Sequence, residues 1–323
     1  MVSKTKFPIK SGEIESIFHA AGLGEAVNTM PLGAGEFSAV YEVETKKRSY
    51  VIKIAPSDSV PIMNLEKDLM KSELFWYGQI KDNTPIPVPE IVFSDFDRGI
   101  ISAPYFIMEN IQGKTLDQLK NPIKQEGEIE SARMIGHIHN IRGERFGYVQ
   151  NGLHENWYQA IRAMVGAALN DGAVKGKSSA RGEKLMGYIE RHKDLLAKAE
   201  CCMVNFDLWP SNIIRMEKSP GYAWIDPERS FWGDPVADFV CLETFKSLEA
   251  KTASLAAHNS VSKIKITATP EERIRYGIAL GYLALIMETE KFYRYSLAHM
   301  GWWRNIIASG LFFKNAFGIL RQN

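Results

Sequence analysis

The chain has 323 residues, 45% of them apolar and 24% charged, the balance of a globular protein of roughly two domains. A formal net charge of +1 argues against nucleic acid or an anionic membrane as the main partner. Cys201, Cys202 and Cys241 lack metal-ligand spacing and read as reduced core residues of a cytoplasmic protein, and neither a signal peptide at Met1–Phe7 nor a membrane span is expected.

Ile14, Ile17 and Phe18 fall at helical spacing and predict a short leading helix within residues 1–30. Residues 32–43 are glycine-rich and then alternate apolar and polar, which predicts strand, turn and strand. Tyr50–Ala55 reads as a compact β-branched strand. Leu65, Leu69, Leu74 and Ile80 predict a helix over 64–81. Pro85, Pro87 and Pro89 then break the chain before a strand at Glu90–Phe93, and Tyr105–Glu109 is a further strand. Residues 114–200 read as mostly helical, interrupted by a loop at Asn170–Arg181. Short strands are expected near 202–206, 212–215 and 222–226, with helices to the end. Strands first and helices later indicate an α+β, two-lobed architecture, divided into 1–111 and 112–323.

Several residues carry possible chemistry. Gly33-Ala34-Gly35-Glu36-Phe37-Ser38 nearly fits G-x-G-x-x-G, with Ser38 in the third glycine's place. Such a turn lets backbone N–H groups approach phosphate oxygens, and its place between two strands argues against a Rossmann turn. Lys53 sits in a β-branched strand, where its charge is costly unless matched. Glu73 is the expected carboxylate partner, with Glu66 the alternative. Gly113-Lys114-Thr115 and Gly176-Lys177-Ser178 end like P-loops, but Met108 and Asp171 stand where the first glycine is required.

Asp207 and Asn212 have the spacing of a kinase catalytic loop, in which the aspartate takes the hydroxyl proton and the asparagine holds Mg²⁺. Asp226 ends the apolar run Tyr222–Ile225, where a metal-binding carboxylate would be presented. Asp238 precedes Phe239-Val240-Cys241-Leu242, and is expected both to cap that segment and to brace the catalytic loop. His137 and His139 do not share a helix face and read as packing or capping residues, not metal ligands. Trp302 and Trp303 read most simply as core, with a substrate-pocket wall the alternative for one of them.

Taken together and in order, these residues resemble the aminoglycoside phosphotransferase family of the protein-kinase-like fold, from about Leu32 to Glu243. His139 with Gly143–Tyr148, and Phe231-Trp232-Gly233-Asp234-Pro235, add to the likeness. The resemblance implies an N-terminal antiparallel-sheet lobe with a helix and a larger, mostly helical C-terminal lobe. It implies ATP or another nucleoside triphosphate with Mg²⁺, and transfer to a small-molecule hydroxyl such as that of an aminoglycoside, macrolide, choline or fructosamine. In this reading Gly33, Gly35, Ser38, Lys53 and Glu73 serve the nucleotide, and the backbone near Glu109–Ile111 meets the adenine. Asn212 and Asp226 hold Mg²⁺, and Asp207 is the base. Asn205-Phe206 departs from the family's usual His-Gly, which motivates a second reading as a nucleotide-binding regulatory module. Only seven residues separate Asp226 from Asp234 and no Ala-Pro-Glu follows, which disfavours a protein kinase. The acid-free stretch after Glu290, with Lys291, Arg294, Arg304, Lys314 and Arg321, makes a polycation a poor acceptor if the last helices line the pocket.

Overall fold

In the computed structural model, which describes residues 5–32 and 37–322, Ile14, Ile17 and Phe18 form the buried face of α1 (Ser11–Ala20), as their spacing predicts. An antiparallel sheet follows, built from β1 (Ala26–Pro31), β2 (Ala39–Thr45), β3 (Ser49–Ile54), β4 (Ile91–Asp95) and β5 (Tyr105–Glu109), in the order β1-β2-β3-β5-β4. The sequence does not announce β1. It is an edge strand with Val27 and Met30 exposed, so one-sided pairing, not burial, holds it in place.

Alternation along β3 decides where Lys53 points. Tyr50, Ile52 and Ile54 pack with Phe18 and Ile107 on one face, while Val51 packs with Met70 and Tyr77 of α2 (Leu69–Asn83) on the other. Lys53 shares the Val51 face and is therefore aimed at α2. That helix starts five residues later than expected. A 3-10 turn at Asn64–Glu66 and a left-handed Asp68 (φ 49°) intervene.

Beyond residue 111 the helices α3 (Ile123–Ile138), α4 (Trp157–Val174), α5 (Ala180–Arg191), α6 (Lys193–Leu196), α7 (Thr252–Val261), α8 (Pro270–Arg294) and α9 (Met300–Gln322) dominate. The expected loop at 170–181 shrinks, because α4 runs on through Gly172 to Val174 and Ser179 caps α5 by accepting from Gly182 N. Thr269 and Glu272 form a capping box at the start of α8, with Pro270 in the first turn. Short strands β6 (Gly113–Thr115), β8 (Ile213–Met216) and β9 (Tyr222–Trp224) make a second sheet. A further pair joins β7 (Cys202–Val204) to β10 (Phe231–Gly233), the latter not anticipated. Its three residues are too few to show a period. One large core runs through these helices and also takes in Met63, Leu65, Trp76 and Ile80. Trp303 is not part of it: the residue is 56% exposed on α9, contrary to the core reading. Among the described residues no helix is long and apolar enough to cross a membrane.

Candidate active site

The Lys53 ammonium lies 2.8 Å from Glu73 Oε2, 2.6 Å from Asp226 Oδ1 and 2.7 Å from Glu228 Oε2. Glu73 reaches it from α2, and the other two from the turn after β9. Asp226 adopts a left-handed backbone (φ 63°, ψ 55°), which bends the chain so that its carboxylate and that of Glu228 meet one ammonium. Its own N–H donates to Tyr77 Oη at 2.9 Å, tying the bend to α2. Sequence reasoning chose Glu73 and missed Glu228. The available signal was the Asp226-Pro227-Glu228 spacing, which reads locally as an ordinary turn. Glu66, the alternative partner, instead binds Arg294.

One ammonium against three carboxylates leaves the cluster over-anionic. Burial opposes the Lys53 charge, but Asp226, Glu228 and Glu73 more than offset that, and its pKa lies well above the ordinary value. Burial raises Glu73 far above the usual carboxylate range. Burial and then the neighbouring Glu228 push Asp226 up to about 7, although its side chain keeps 32% exposure to the cleft. Oxygens of Glu73, Asp226 and Glu228 lie within 4.8 Å of one another, and Glu73 Oε1 is buried without a partner. Hard oxygen donors with surplus negative charge fit a divalent cation such as Mg²⁺.

Asp207 sits in the loop between β7 and β8. Its Oδ1 accepts from Trp209 Nε1 at 3.0 Å and its Oδ2 from Asn212 Nδ2 at 3.2 Å; the same amide group donates to Asp207 O at 2.9 Å. With Asn212 Nδ2 turned toward Asp207, its Oδ1 is left as an acceptor. Ile225 N donates to Asn212 O at 3.0 Å, so the loop and Asp226 are held side by side. Burial raises the Asp207 pKa, and Arg229, whose Nε lies 3.9 Å from Oδ1, works against the rise. Arg229 belongs to a buried ion network: its Nη2 meets Glu290 at 3.0 Å, while Arg294 meets Glu66 at 2.6 Å and Glu290 at 3.5 Å.

The loop is braced from behind. Asp238 accepts from Asn205 N and Phe206 N (2.9 and 2.7 Å to Oδ1) and pairs with His139 Nε2 at 3.0 Å. The bracing role expected of Asp238 is present, but the capping role belongs to Asp234, which accepts from Val236 N. Asn205, where the family usually has histidine, is fully buried, and its Oδ1 accepts from Asp207 N at 2.9 Å. Phe206 takes a left-handed φ of 60° between them. His139 continues the chain to His258 Nε2 at 2.8 Å, and His258 Nδ1 meets Asn259 Oδ1 at 2.9 Å. Ile266 fixes the Asn259 amide by accepting from Nδ2 and donating to Oδ1, so His258 Nδ1 donates and its Nε2 accepts from His139. Burial, followed by the charge of His139, lowers the His258 pKa to about 3. His139 is thus a packing and bracing residue, as its helix position suggests.

The remaining expected residues surround this centre less closely. Ser38 is buried just before β2, and Gly33 and Gly35 lie outside the described residues. Glu109 ends β5 with its carboxylate on Arg48 at 2.8 Å, and Ile111 follows where the chain leaves the sheet.

A sequence model described as "Phosphotransferase enzyme family" matches residues 29–257. No curated protein sequence matches the chain. Among solved structures, a candidate fructosamine-3-kinase from Haemophilus somnus 129PT superposes with a TM-score of 0.65 at 16% identity, over 94% of this chain and 96% of that one. A GDP complex of an aminoglycoside 2'-phosphotransferase-IIIa mutant gives 0.66 at 13%, over 97% and 100%. A ternary complex of aminoglycoside phosphotransferase APH(4)-Ia with AMP-PNP and hygromycin B gives 0.61 at 15%, over 96% and 98%. At such identities the likeness is one of fold.

Proposed function

Because the chain belongs to the phosphotransferase enzyme family, we propose that it transfers the γ-phosphoryl group of ATP, or another nucleoside triphosphate, to a hydroxyl of a small molecule. The observation that carries this is convergence. Lys53, Glu73 and Asp226 come from separate segments and meet at hydrogen-bond distance beside Asp207 and Asn212. Chance spacing does not predict such a meeting.

In this mechanism Lys53, steadied by Glu73, contacts the α- and β-phosphates, and Gly33, Gly35 and Ser38 offer backbone N–H groups to the phosphate chain. The backbone near Glu109–Ile111 hydrogen-bonds the adenine. Asn212 and Asp226 would hold Mg²⁺, and Glu228, with an oxygen within 4.8 Å of one on Asp226, would offer a further ligand. Bound there, Mg²⁺ would neutralise phosphate oxygens. Asp207 orients the acceptor hydroxyl and takes its proton as the γ-phosphorus–oxygen bond forms. The β–γ bridging bond breaks, and its electron pair leaves with the nucleoside diphosphate. Burial raises the Asp207 pKa, which makes its carboxylate a stronger proton acceptor than a solvated one.

Two lobes divided after Ile111 would hold the nucleotide between them in a cytoplasmic enzyme. The regulatory-module reading arose from Asn205, whose carboxamide serves the loop as a hydrogen-bonding brace. The short run from Asp226 to Asp234 leaves little room for a peptide platform, which favours a small acceptor. The test is nucleotide turnover with an acceptor present. Wild type turns over in Mg²⁺, and Asp207→Ala loses at least about a hundredfold. Near-wild-type turnover by Asp207→Ala contradicts the base assignment.

A further inference from the structure

Next to the catalytic loop lies a cavity of about 340 Å³, set between the 147–154 loop, α4 and α8 and bounded by Asn64, Leu65 and Lys67 ahead of α2. Its inner wall is shared with the loop. Tyr148 and Tyr282 line it, the Tyr282 hydroxyl donating to that of Tyr148 at 3.3 Å. Behind them the Phe206 ring stands 5.6 Å from Tyr282, and Phe231 stands 5.2 Å from Tyr148. Phe206 is the residue before Asp207. Asp207 and Arg229 are close enough to Tyr148 for their charges to act on its hydroxyl, whose pKa burial pushes up to about 12.

The charge of this wall is unusual for a site meant to take a polycation. Two lining groups carry formal charge, Lys67 and Asp171, and they cancel. Both oxygens of Asp171 are already taken, by Asn64 N and Asn64 Nδ2 at 2.8 Å each, and Lys67 donates to Asn64 Oδ1 at 2.7 Å. Three acids of the neighbouring segments are likewise held. Glu66 is held by Arg294 and Met63 N, Glu290 by Arg229 and Asn305, and Glu288 by Ser179 and Arg181. A polycationic ligand placed here would lose hydration without gaining a free carboxylate from any of these four acids. What the wall does offer is neutral hydrogen bonding. Tyr282 donates to Tyr148, which leaves the Tyr148 O–H free to donate, and Asn151 and His154 stand on the same wall. The volume lies at the small end for ligand pockets, suited to a single-ring compound.

We infer that this cavity seats the acceptor and selects a small, uncharged polyhydroxyl compound of about single-ring size over a polycation, an inference that rests on the phosphotransferase reading of the site. The acceptor oxygen then bonds to the γ-phosphorus and its proton passes to Asp207. The bridging oxygen leaves with the diphosphate and the electron pair.

The experiment is transfer of labelled γ-phosphate in Mg²⁺-ATP to a broad panel of hydroxylated compounds, including ribose, glucose, sorbitol, myo-inositol and the polycation kanamycin. Wild type, Ala163→Trp and Tyr148→Phe are compared, with thermal stabilisation by AMP-PNP recorded for each. Ala163 is an exposed α4 residue on the cavity wall, so a larger side chain there fills the cavity without entering the core. Transfer to a neutral polyol is expected. Ala163→Trp should lower acceptor kcat/KM at least about tenfold with AMP-PNP stabilisation unchanged, and Tyr148→Phe about tenfold through the lost hydrogen bond. Transfer to kanamycin but to no neutral polyol, or polyol transfer untouched by Ala163→Trp, overturns this inference and leaves the phosphotransferase reading standing. Intact AMP-PNP binding with no transfer to any panel member overturns the phosphotransferase reading and this inference with it.

Discussion

Replacing Asp238 tests whether the catalytic loop is held from behind. The side chain is fully buried and takes three donors: Asn205 N, Phe206 N and His139 Nε2. Asp238→Ala orphans all three, and each unsatisfied buried donor costs about 1–3 kcal/mol, so the loss is roughly 3–9 kcal/mol. That is a large share of the roughly 5–15 kcal/mol that holds a domain together. Asp238→Asn is the gentler probe. It keeps the volume and one acceptor oxygen but turns an N–H₂ group toward donors, for a loss of about 2–3 kcal/mol. Because Asn205 Oδ1 in turn receives Asp207 N, the loosened loop should also misplace the base. Thermal melts and turnover, measured on the same preparation, read both effects. Asp238→Asn should melt lower and lose kcat at least about tenfold while AMP-PNP affinity changes little. A variant with wild-type stability and kcat would refute the brace.

Three further outcomes follow from the same geometry. Lys53→Met leaves the buried carboxylates Glu73 and Glu228 without their ammonium, which should cost about 3–5 kcal/mol. Mg²⁺ should then raise its melting temperature more than that of wild type; equal Mg²⁺ responses would contradict the shared cluster. His258 has its folded pKa depressed from 6.5 to about 3 by burial, so its contribution is present above pH 6.5 and drains away as pH falls from there toward 3. At pH 5.5 the loss reaches about 1.4 kcal/mol, and His258→Gln should remove that part of the acid sensitivity. The same fall between pH 7.5 and 5.5 in both proteins would refute it. Glu66→Gln and Arg294→Met, alone and combined, should show a coupling of about 1–3 kcal/mol in urea melts, since both side chains are buried. Additive losses would mean the pair is inert.

The pairing of Lys53 with Glu73 and the packing of Asn212 against Asp207 were legible because a lysine in an apolar strand and a five-residue spacing in a tight loop are local signals. Lys53 announced itself by violating the apolar pattern of β3, and a buried charge demands partners. Which partners was harder to see. Glu228 stayed hidden because its arrival depends on the left-handed turn at Asp226, a backbone choice that no side-chain pattern reports. Arg294 and Glu66 are 228 residues apart, and nothing local marks either as half of a pair. The two-lobed α+β order was readable from the switch in hydrophobic period. Edge strand β1, the three-residue β10 and the late start of α2 were not, because pairing and a left-handed Asp68 decide them. Trp303 shows the opposite failure: a large aromatic read as core stands on the outer face of α9.

The central claim is that Asp207 removes a hydroxyl proton during phosphoryl transfer at a site assembled by Lys53, Asn212 and Asp226. Its most direct test is the single-turnover rate of labelled γ-phosphate transfer to an acceptor, in wild type and in Asp207→Asn. Asp207→Asn should slow the chemical step by about 10²- to 10⁴-fold while AMP-PNP and Mg²⁺ still stabilise the protein as they do wild type. A chemical step within about threefold of wild type would contradict the account.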